Sequence, residues 1–201
     1  MKSIKGPAGQ RVSGSWASRR EFLVMGLASL GAAGIARRLV ADTSLSAPKR
    51  SATVTIEEFS AAGVSRGKAE VARVVRTEQE WRQLLSPSAY HVTREAGTEL
   101  AFTGEYDQNH LDGVYRCVCC DTALFDSRTK FDSGTGWPSF WKPISRLNVV
   151  EGSDTLLGVP RVTVGCRRCD AHLGHVFDDG PPPTGLRYCM NSVALKFFRR
   201  A

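Results

Sequence analysis

The sequence has no hydrophobic run long enough for a comfortable membrane span. Its longest uncharged stretch, Phe22–Ala36, has fifteen residues and several of them are glycine or alanine, whereas a bilayer core requires about 20 apolar residues. Outside the N-terminus the sequence also lacks an excess of either charge. Residues 1–41 hold seven lysines and arginines against one acid, which leaves 20 basic and 19 acidic residues in the rest of the chain. The net charge of +7 therefore belongs to the N-terminus, which argues against a nucleic-acid-binding surface.

Helical periodicity is the third absence. After Gly113 no window of a dozen residues keeps an apolar period of 3.6. Short aromatic and β-branched runs alternate there with Gly, Pro and Asp, as in Val114–Arg116, Asn148–Glu151, Arg161–Gly165 and Val193–Phe198. This pattern predicts short antiparallel strands joined by long loops.

The region before Gly113 has clearer local signals. Two β-prone runs, Val54–Phe59 and Ala69–Val75, indicate a hairpin. Thr77 and Glu80 form a capping-box pattern, which predicts a short helix over about 78–85. A second short helix is predicted over about 87–95.

Residues 1–41 have the three parts of an export signal: a basic region, an uncharged apolar stretch and a polar end. The junction S-R-R-E-F-L at Ser18–Leu23 resembles the twin-arginine translocation signal. We therefore expect a protein exported in folded form to the periplasm, with 1–41 as targeting segment, 42–52 as linker and 53–201 as the functional domain. An uncleaved membrane anchor is the alternative, and membrane contact is expected only through this segment.

Four of the six cysteines form two C-x-x-C pairs, Cys117 with Cys120 and Cys166 with Cys169. Each pair begins the same pattern, C-x-x-C-D-x-x-L. Two such turns offer a zinc ion four thiolates in a tetrahedron, and a filled shell of this kind is structural rather than catalytic. Two alternatives stay open: disulfide bonds, which are common in exported chains, and a site formed by Cys169 with His172 and His175.

Cys189 lies outside both pairs, between a proline-rich loop and a β-prone run. A lone cysteine is most often a small buried hydrophobe. Arg187 and Asn191 are two residues away on either side, so on a strand they share its face and supply positive potential and a hydrogen bond. Together with the upstream His172 and His175, such neighbours lower the pKa of a thiol from about 8.5. The arrangement points to a reactive thiolate.

Four motifs taken together resemble the methionine-R-sulfoxide reductase family (type B), in the family's order from about Trp81 to Phe198. They are the pair at Cys117–Cys120, F-D-S-G-T-G-W-P-S-F at Phe131–Phe140, C-R-R-C-D-A-H-L-G-H-V-F at Cys166–Phe177 and R-Y-C-M-N-S at Arg187–Ser192. The resemblance implies a mainly β fold, the Mss4-like β-tent. Such a fold has two antiparallel sheets of short strands with long loops, short N-terminal helices and one structural zinc site.

The resemblance also implies residue roles. In that family the cysteine matching Cys189 attacks the sulfoxide sulfur as a thiolate and becomes a sulfenic acid. Other matching residues position and protonate the oxygen (His172, His175 and Asn191) or contact the substrate and favour the thiolate (Trp137 and Arg187). The implied activity is repair of oxidised protein substrates, served by a thioredoxin-like or other thiol reductant.

One departure from the family concerns recycling of the enzyme. Many members carry a resolving cysteine between the glycines that match Gly134 and Gly136, where this chain has Thr135. We expect an external thiol to regenerate Cys189, with Cys119 as the alternative internal partner. Two other functions stay open: a zinc-stabilised binding module without catalysis, and a disulfide exchanger whose C-x-x-C is redox-active.

Overall fold

The computed structural model describes residues 51–154 and 160–200. The targeting segment predicted over 1–41 and nearly all of the linker predicted over 42–52 lie outside these residues. Among the described residues, no helix is both long enough and apolar enough to cross a membrane.

From residue 51, where the described structure begins, the chain forms one hairpin and then two short helices. Strands β1 (Thr53–Phe59) and β2 (Ser65–Ala72) pair antiparallel, followed by α1 (Glu78–Leu84) and α2 (Pro87–Glu95). The predicted capping box is present, because the Thr77 hydroxyl accepts from the Glu80 N–H and the Glu80 carboxylate accepts from the Thr77 N–H. The sequence predictions for the hairpin and both helices are thus confirmed.

The described residues from Gly113 onward form nine short strands. In chain order they are β3 (Gly113–Cys117), β4 (Ala123–Asp126), β5 (Lys130–Phe131), β6 (Ser139–Phe140), β7 (Val149–Asp154), β8 (Arg161–Cys166), β9 (His172–Phe177), β10 (Arg187–Met190) and β11 (Leu195–Arg199). Single 3₁₀ turns at Ser127–Thr129 and Ser192–Ala194 interrupt the series. No strand here exceeds six residues, as the frequent Gly, Pro and Asp predicted.

These strands form a six-stranded sheet in the order β5-β6-β10-β9-β8-β7 and a three-stranded sheet in the order β11-β3-β4. All pairings are antiparallel. The mainly β fold with two antiparallel sheets is confirmed, and the N-terminal hairpin is a further two-stranded sheet. In the larger sheet, Cys189 on β10 lies opposite His175 on β9 and opposite Ser139 on β6.

A cluster of buried aromatic rings joins the two sheets. Phe125 of β4 stacks on Phe140 of β6 with ring centroids 4.5 Å apart, and Tyr115 of β3 meets Phe140 edge-on at 5.1 Å. These three rings are completely buried, and burying each stabilises the fold by roughly 1.5–3 kcal/mol. The cluster therefore fixes the six-stranded sheet relative to the three-stranded sheet.

Asn148, which precedes β7, connects the hairpin to the rest of the domain. Its side chain is completely buried. The amide nitrogen donates to the carbonyls of Glu57 and Ala123, each at 2.8 Å, and the amide oxygen accepts from the Glu57 N–H at 2.8 Å. A single polar side chain thus satisfies both main-chain groups of Glu57 on the hairpin and a carbonyl beside the first cysteine pair.

Candidate active site and metal centre

The four paired cysteines come together as one cluster. All four Sγ atoms lie within 4.8 Å of one another, with Cys117 to Cys169 at 3.6 Å and Cys120 to Cys166 at 3.5 Å. A tetrahedral zinc with Zn–S bonds of about 2.3 Å spaces its sulfurs about 3.8 Å apart. Hydrogen bonds from neighbouring thiols, that of Cys117 first, lower the pKa of Cys120. The donor set, spacing and burial fit a Cys₄ zinc site.

The two C-x-x-C turns have the same backbone geometry. In each turn the aspartate after the second cysteine has a positive φ, 61° at Asp121 and 57° at Asp170. Each of these aspartates donates its N–H to the carbonyl of the first cysteine at 2.9 Å. The first cysteine donates its own N–H at 2.8 Å to the carbonyl five residues on. The repeated C-x-x-C-D-x-x-L pattern therefore encodes two equivalent turns, each of which presents two cysteines to the same cluster.

Cys119 lies beside the cluster of four paired cysteines. Its Sγ lies 3.5 Å from the Thr93 hydroxyl on α2, and hydrogen bonds with Cys117 and then Cys169 lower the pKa of Cys119 to about 3. Within the described part of the chain, no hydrogen bond links it to Cys189. Its contacts favour a place in the metal surroundings over one beside the reactive thiol.

Cys189 opens into a cavity of about 210 Å³. The cavity is lined by Thr98, Trp137, Arg161, Gly174, His175, Phe177, Cys189, Met190 and Asn191. Four of the six predicted site residues outside the cysteine cluster are therefore together here. The other two, His172 and Arg187, lie beside cavity residues but do not line the cavity.

The Cys189 thiol is partly buried, and desolvation by that burial raises its pKa. The Arg187 charge and hydrogen bonds from Thr135 and Ser139 act in the opposite direction but are outweighed. The sequence predicted a lowered pKa for Cys189, whereas the net shift is upward, so this prediction is wrong. The reason is that it considered the neighbours of the thiol and not its loss of contact with water.

Hydroxyl groups surround the position of the missing resolving cysteine. The Thr135 Oγ1 lies 3.9 Å from the Cys189 Sγ. Ser133 bridges Thr135 and Ser139, with oxygen–oxygen distances of 2.8 Å on both sides. Position 135 thus faces the Cys189 sulfur, and it presents a hydroxyl there.

The two predicted histidines differ in their surroundings. The His175 Nε2 lies 3.1 Å from the Asp154 Oδ2, and the same oxygen accepts from Arg161 Nη2 at 2.6 Å. The His172 ring lies edge-on to His175 at 5.3 Å, and among the described residues its buried Nε2 has no hydrogen-bond partner. Burial, followed by the charge of His175, lowers the pKa of His172 to about 4. His172 is therefore neutral at pH 7.

Glu99, in the loop after α2, holds Asn191 and Trp137 in place. Its N–H donates to the Asn191 amide oxygen at 2.9 Å, and its carbonyl accepts from the Trp137 indole at 3.2 Å. Its carboxylate accepts from the N–H groups of Ser192 at 2.7 Å and Val193 at 3.0 Å. The Asn191 amide nitrogen donates to the Leu173 carbonyl at 3.0 Å. Asn191 is thus fixed from two sides and retains one amide hydrogen that these bonds do not use.

Arg187 contacts Cys189 from a fixed position. Its guanidinium binds the Asp179 carboxylate through two hydrogen bonds of 2.8 and 2.7 Å and lies over the Phe177 ring at 4.4 Å. Hydrogen bonding to Asp179 is the main cause that raises the pKa of Arg187. The Arg187 guanidinium therefore stays positively charged, and this charge acts on both the Asp179 carboxylate and the Cys189 thiol.

The sequence analysis missed Asp154, Arg161 and Glu99. Each is distant in sequence from the residue it holds, by 21 positions for Asp154 and His175 and by 92 for Glu99 and Asn191. One signal was available, since opposite charges at the end of one strand and the start of the next indicate a cross-strand pair. Asp154 and Arg161 are such partners in the β7–β8 register.

The chain is similar to a known protein family and to named proteins from several organisms. The family described as SelR domain matches residues 85–199. "Peptide methionine sulfoxide reductase MsrB" of Pseudomonas syringae pv. syringae is 55% identical over 129 residues, covering 64% of this chain and 98% of that protein. The protein of the same name from Thioalkalivibrio sulfidiphilus is 59% identical over 123 residues, covering 60% of this chain and 88% of its own length. "Peptide methionine sulfoxide reductase B1, chloroplastic" of Arabidopsis thaliana is 60% identical over 120 residues, covering 60% of this chain and 59% of that protein. The SelR match contains both cysteine pairs and every residue that lines the cavity.

Proposed function

The chain belongs to the SelR-domain family of methionine-R-sulfoxide reductases, and from that premise we propose that it reduces methionine-R-sulfoxide residues of oxidised proteins through a sulfenic acid on Cys189. It is a peptide-methionine (R)-S-oxide reductase, and the chain covers 98% and 94% of the length of two relatives named "Peptide methionine sulfoxide reductase MsrB". The observation that supports the proposed mechanism is the cavity shared by Cys189, His175 and Trp137.

The cavity suits a single side chain. At about 210 Å³ it is smaller than the roughly 300–1,000 Å³ typical of drug-sized ligands. Trp137 offers an apolar face for the substrate methyl group, and the indole is held in place by its hydrogen bond to Glu99. Cys189 and His175 are cross-strand partners, so a sulfoxide between them has its sulfur near a thiol and its oxygen near an imidazole.

In the chemical step, the Cys189 thiolate attacks the sulfoxide sulfur while the oxygen takes up a proton. The S–O bond of the substrate then breaks, methionine leaves, and the oxygen is transferred as a hydroxyl group to the Cys189 sulfur, which becomes a sulfenic acid, so that the sulfoxide sulfur is reduced and Cys189 oxidised by two electrons. The proton that the Cys189 thiol loses on becoming a thiolate offsets the proton that the oxygen gains. Burial keeps the resting thiol protonated, because it raises the pKa of Cys189. His175, held by Asp154, is the group that delivers a proton to the oxygen. Arg187 partly offsets the burial penalty of the thiolate.

Recycling requires a thiol from outside the chain. Thr135 faces Cys189 but its hydroxyl cannot form a disulfide, and Cys119 has its contacts on the metal side. A thioredoxin-like or other thiol reductant attacks the sulfenic sulfur and releases water. A second thiol then resolves the mixed disulfide, which restores the Cys189 thiol and leaves the reductant oxidised.

The cysteine cluster is proposed to hold one structural zinc. Cys117, Cys120, Cys166 and Cys169 supply four thiolates, which leave no open position for a substrate or water. Held by these four cysteines, such an ion would link the loop after β3 to the loop after β8 and would in this way support the sheet on which Cys189 lies. Treatment of the folded protein with a thiol-reactive mercurial is expected to release one zinc per chain and to unfold the domain. Retention of the native circular dichroism spectrum after metal release would contradict a structural role.

The cellular setting is also part of the proposal. The twin-arginine-like segment in residues 1–41 supports export to the periplasm, with residues 53–201 as the catalytic domain. There the enzyme repairs proteins in which oxidation has turned an apolar methionine into a polar sulfoxide. Fractionation of cells that express the full chain, with and without Arg19→Lys and Arg20→Lys, tests this location.

The decisive assay uses a dabsyl-methionine sulfoxide of each configuration at sulfur. We expect reduction of the R form only, loss of activity in Cys189→Ser with zinc content unchanged, and retention of activity in Cys119→Ser when dithiothreitol is supplied. Cys119→Ser is the matched control, because it removes another free thiol from the same domain. Activity in Cys189→Ser, or equal reduction of the S form, would refute the assignment.

A further inference from the structure

A groove of about 550 Å³ adjoins the Cys189 cavity. Thr98 lines both the cavity and this groove, so the two are continuous. The floor of the groove consists of buried and half-buried apolar side chains, namely Val92, Tyr106, Val193 and Leu195. We call this space the rim groove. It is large enough for an apolar side chain together with the main chain that carries it.

Two large apolar side chains beside the rim groove are left open to solvent. Leu100, which lines the groove, is 78% exposed, and Phe102 is 69% exposed. The Phe102 N–H donates to the Gly136 carbonyl at 2.8 Å, and Gly136 directly precedes Trp137 of the cavity wall. A single exposed apolar residue is ordinary, but here two of them lie within three positions of each other and next to a catalytic cavity. Apolar surface in such a place is available to apolar atoms of a ligand.

The loop that carries Leu100 is held in place by its own hydrogen bonds. The Thr103 hydroxyl donates to the Leu100 carbonyl at 2.8 Å, and the Tyr106 N–H donates to the Ser192 hydroxyl at 3.2 Å. Phe102 has a φ of 64°, a conformation that a non-glycine residue keeps only where its surroundings impose it. Because the loop is fixed in this way, the rim groove is preformed and little ordering entropy is lost when a ligand binds.

The cavity is also open at its other end. Arg161 and Phe177 line both the cavity and a second groove of about 540 Å³. Phe177 lies opposite Arg187 at the start of β10, whereas Asn191, which is bonded to the loop of the rim groove, follows the end of β10. The two grooves thus meet the cavity at opposite ends of β10. This arrangement suits a residue within a polypeptide, because the chain can continue on both sides of a side chain that occupies the cavity.

The spacing between cavity and rim groove matches an extended peptide. Thr98 and Leu100 are two positions apart, so their Cα atoms are separated by at most about 7 Å. An extended peptide rises about 3.3 Å per residue, and its side chains at positions i and i+2 point to the same face. With a methionine sulfoxide side chain in the cavity, the side chain two positions away therefore faces the same surface at the distance of Leu100.

We propose that the rim groove is a specificity subsite for the substrate polypeptide, in which Leu100 binds an apolar side chain two positions from the methionine sulfoxide. The inference rests on the proposed reductase function and names its substrate class, extended segments with an apolar residue at that spacing. The apolar floor of the groove favours such a side chain. Glu105, an exposed carboxylate that also lines the groove, disfavours an acidic one by charge repulsion.

The test uses short capped peptides with methionine-R-sulfoxide at the centre, serine at the other positions and one leucine at position −2, −1, +1 or +2. A single turnover without reductant is followed for each peptide, and its second-order rate constant is compared with that of the all-serine peptide. We expect leucine at one of the two outer positions to raise this rate constant about fivefold or more, because its side chain is covered by the rim groove. Leucine at −1 or +1 is expected to change it by less than about twofold, because those side chains point to the other face of an extended peptide.

Variants of Leu100 identify the residue responsible for this advantage. Leu100→Ser should reduce the advantage of the outer leucine to less than about twofold, whereas Leu100→Met should keep it, because methionine is apolar and of similar size. Leu84→Ser is the matched control, since Leu84 is an exposed leucine on α1 that lines neither the cavity nor the rim groove. Each advantage is a ratio of two peptides on one protein, so a change that affects all peptides equally does not alter it. Leu100→Gln, which keeps the length of the side chain, repeats the test if Leu100→Ser does not fold.

The outcomes separate this inference from its competitors. Equal rate constants for all peptides, or an advantage of the outer leucine that survives in L100S, would overturn the subsite. If L100S changes only the recycling of the enzyme by thioredoxin and leaves the peptide ratios intact, the rim groove binds the reductant and the inference is also wrong. If the wild-type protein reduces none of the R-sulfoxide peptides, the proposed function itself fails, a result distinct from equal reduction of them all.

Discussion

Replacement of Glu99 by glutamine tests whether the loop after α2 holds the active site in place. The carboxylate of Glu99 accepts two main-chain N–H groups, from Ser192 at 2.7 Å and Val193 at 3.0 Å. Glutamine keeps the size of the side chain, but it turns one acceptor oxygen into a donor that faces an N–H. Hydrogen bonds to charged groups contribute about 1.5–3 kcal/mol each, and Glu99 is only partly buried. We therefore expect the free energy of unfolding to fall by about 2 kcal/mol. This figure combines the loss of one hydrogen bond to the charged carboxylate with the weakening of the other. It lies in the lower part of the expected range because Glu99 is only partly buried.

That loss corresponds to a melting temperature lower by about 4–8 °C for a domain of this size. Activity should fall as well, by about tenfold in kcat/KM, because small misplacements of positioning groups are costly and Glu99 also binds Asn191 and Trp137. Thermal unfolding by circular dichroism and the R-sulfoxide assay measure the two effects. Glu95→Gln is the matched control, since Glu95 forms only exposed ion pairs with Arg82 and His91. If E99Q melts within about 1 °C of E95Q, the carboxylate does not support the site and the reasoning is refuted.

Three further changes have defined outcomes. Thr135→Cys puts a thiol where a hydroxyl now lies 3.9 Å from the Cys189 sulfur. After one turnover, mass spectrometry should then detect a disulfide (loss of two hydrogens) instead of a sulfenic acid (gain of one oxygen). A sulfenic acid that persists in this variant would contradict the geometry. Asn148→Ala should lower the free energy of unfolding, measured with urea, by about 3 kcal/mol, because three main-chain groups at buried or partly buried positions lose their hydrogen-bond partner. A decrease of less than about 1 kcal/mol would contradict this role of Asn148. Alkylation of Cys189 by iodoacetamide should accelerate with pH beyond pH 9, since burial raises the pKa of this thiol, and Arg187→Leu should slow the reaction at pH 8 because it removes an opposing charge. A rate independent of pH between 7 and 9 would mean that Cys189 is already a thiolate.

The elements that were predicted correctly depend on residues close together in the sequence. The helix that begins after Thr77 follows from a cap whose partner is three residues away. The two equivalent cysteine turns follow from a turn that each C-x-x-C-D segment forms on its own, with the aspartate at a positive φ. In each case the interacting atoms are separated by a few residues, so the pattern along the chain was sufficient.

The features that were not predicted depend on strand order. In the sequence His175 and Asp154 are separated by 21 positions, and only the pairing of β7 with β8 and of β8 with β9 brings them together. The same holds for Glu99, which reaches Asn191 from a loop 92 positions earlier. The net rise in the pKa of Cys189 was also missed, because desolvation depends on how much of the molecule covers a group.

The sequence by itself determined the chemistry available to this protein: four cysteines that can hold a metal, two further thiols, and two histidines within a family motif. Only the tertiary structure decided how that chemistry is arranged, with Asp154 at His175, Thr135 at the thiol and Glu99 beneath Asn191 and Trp137. The physical reason is that ligand type and turn geometry are local properties of the chain. Protonation and positioning arise from contacts that exist only after distant strands have paired.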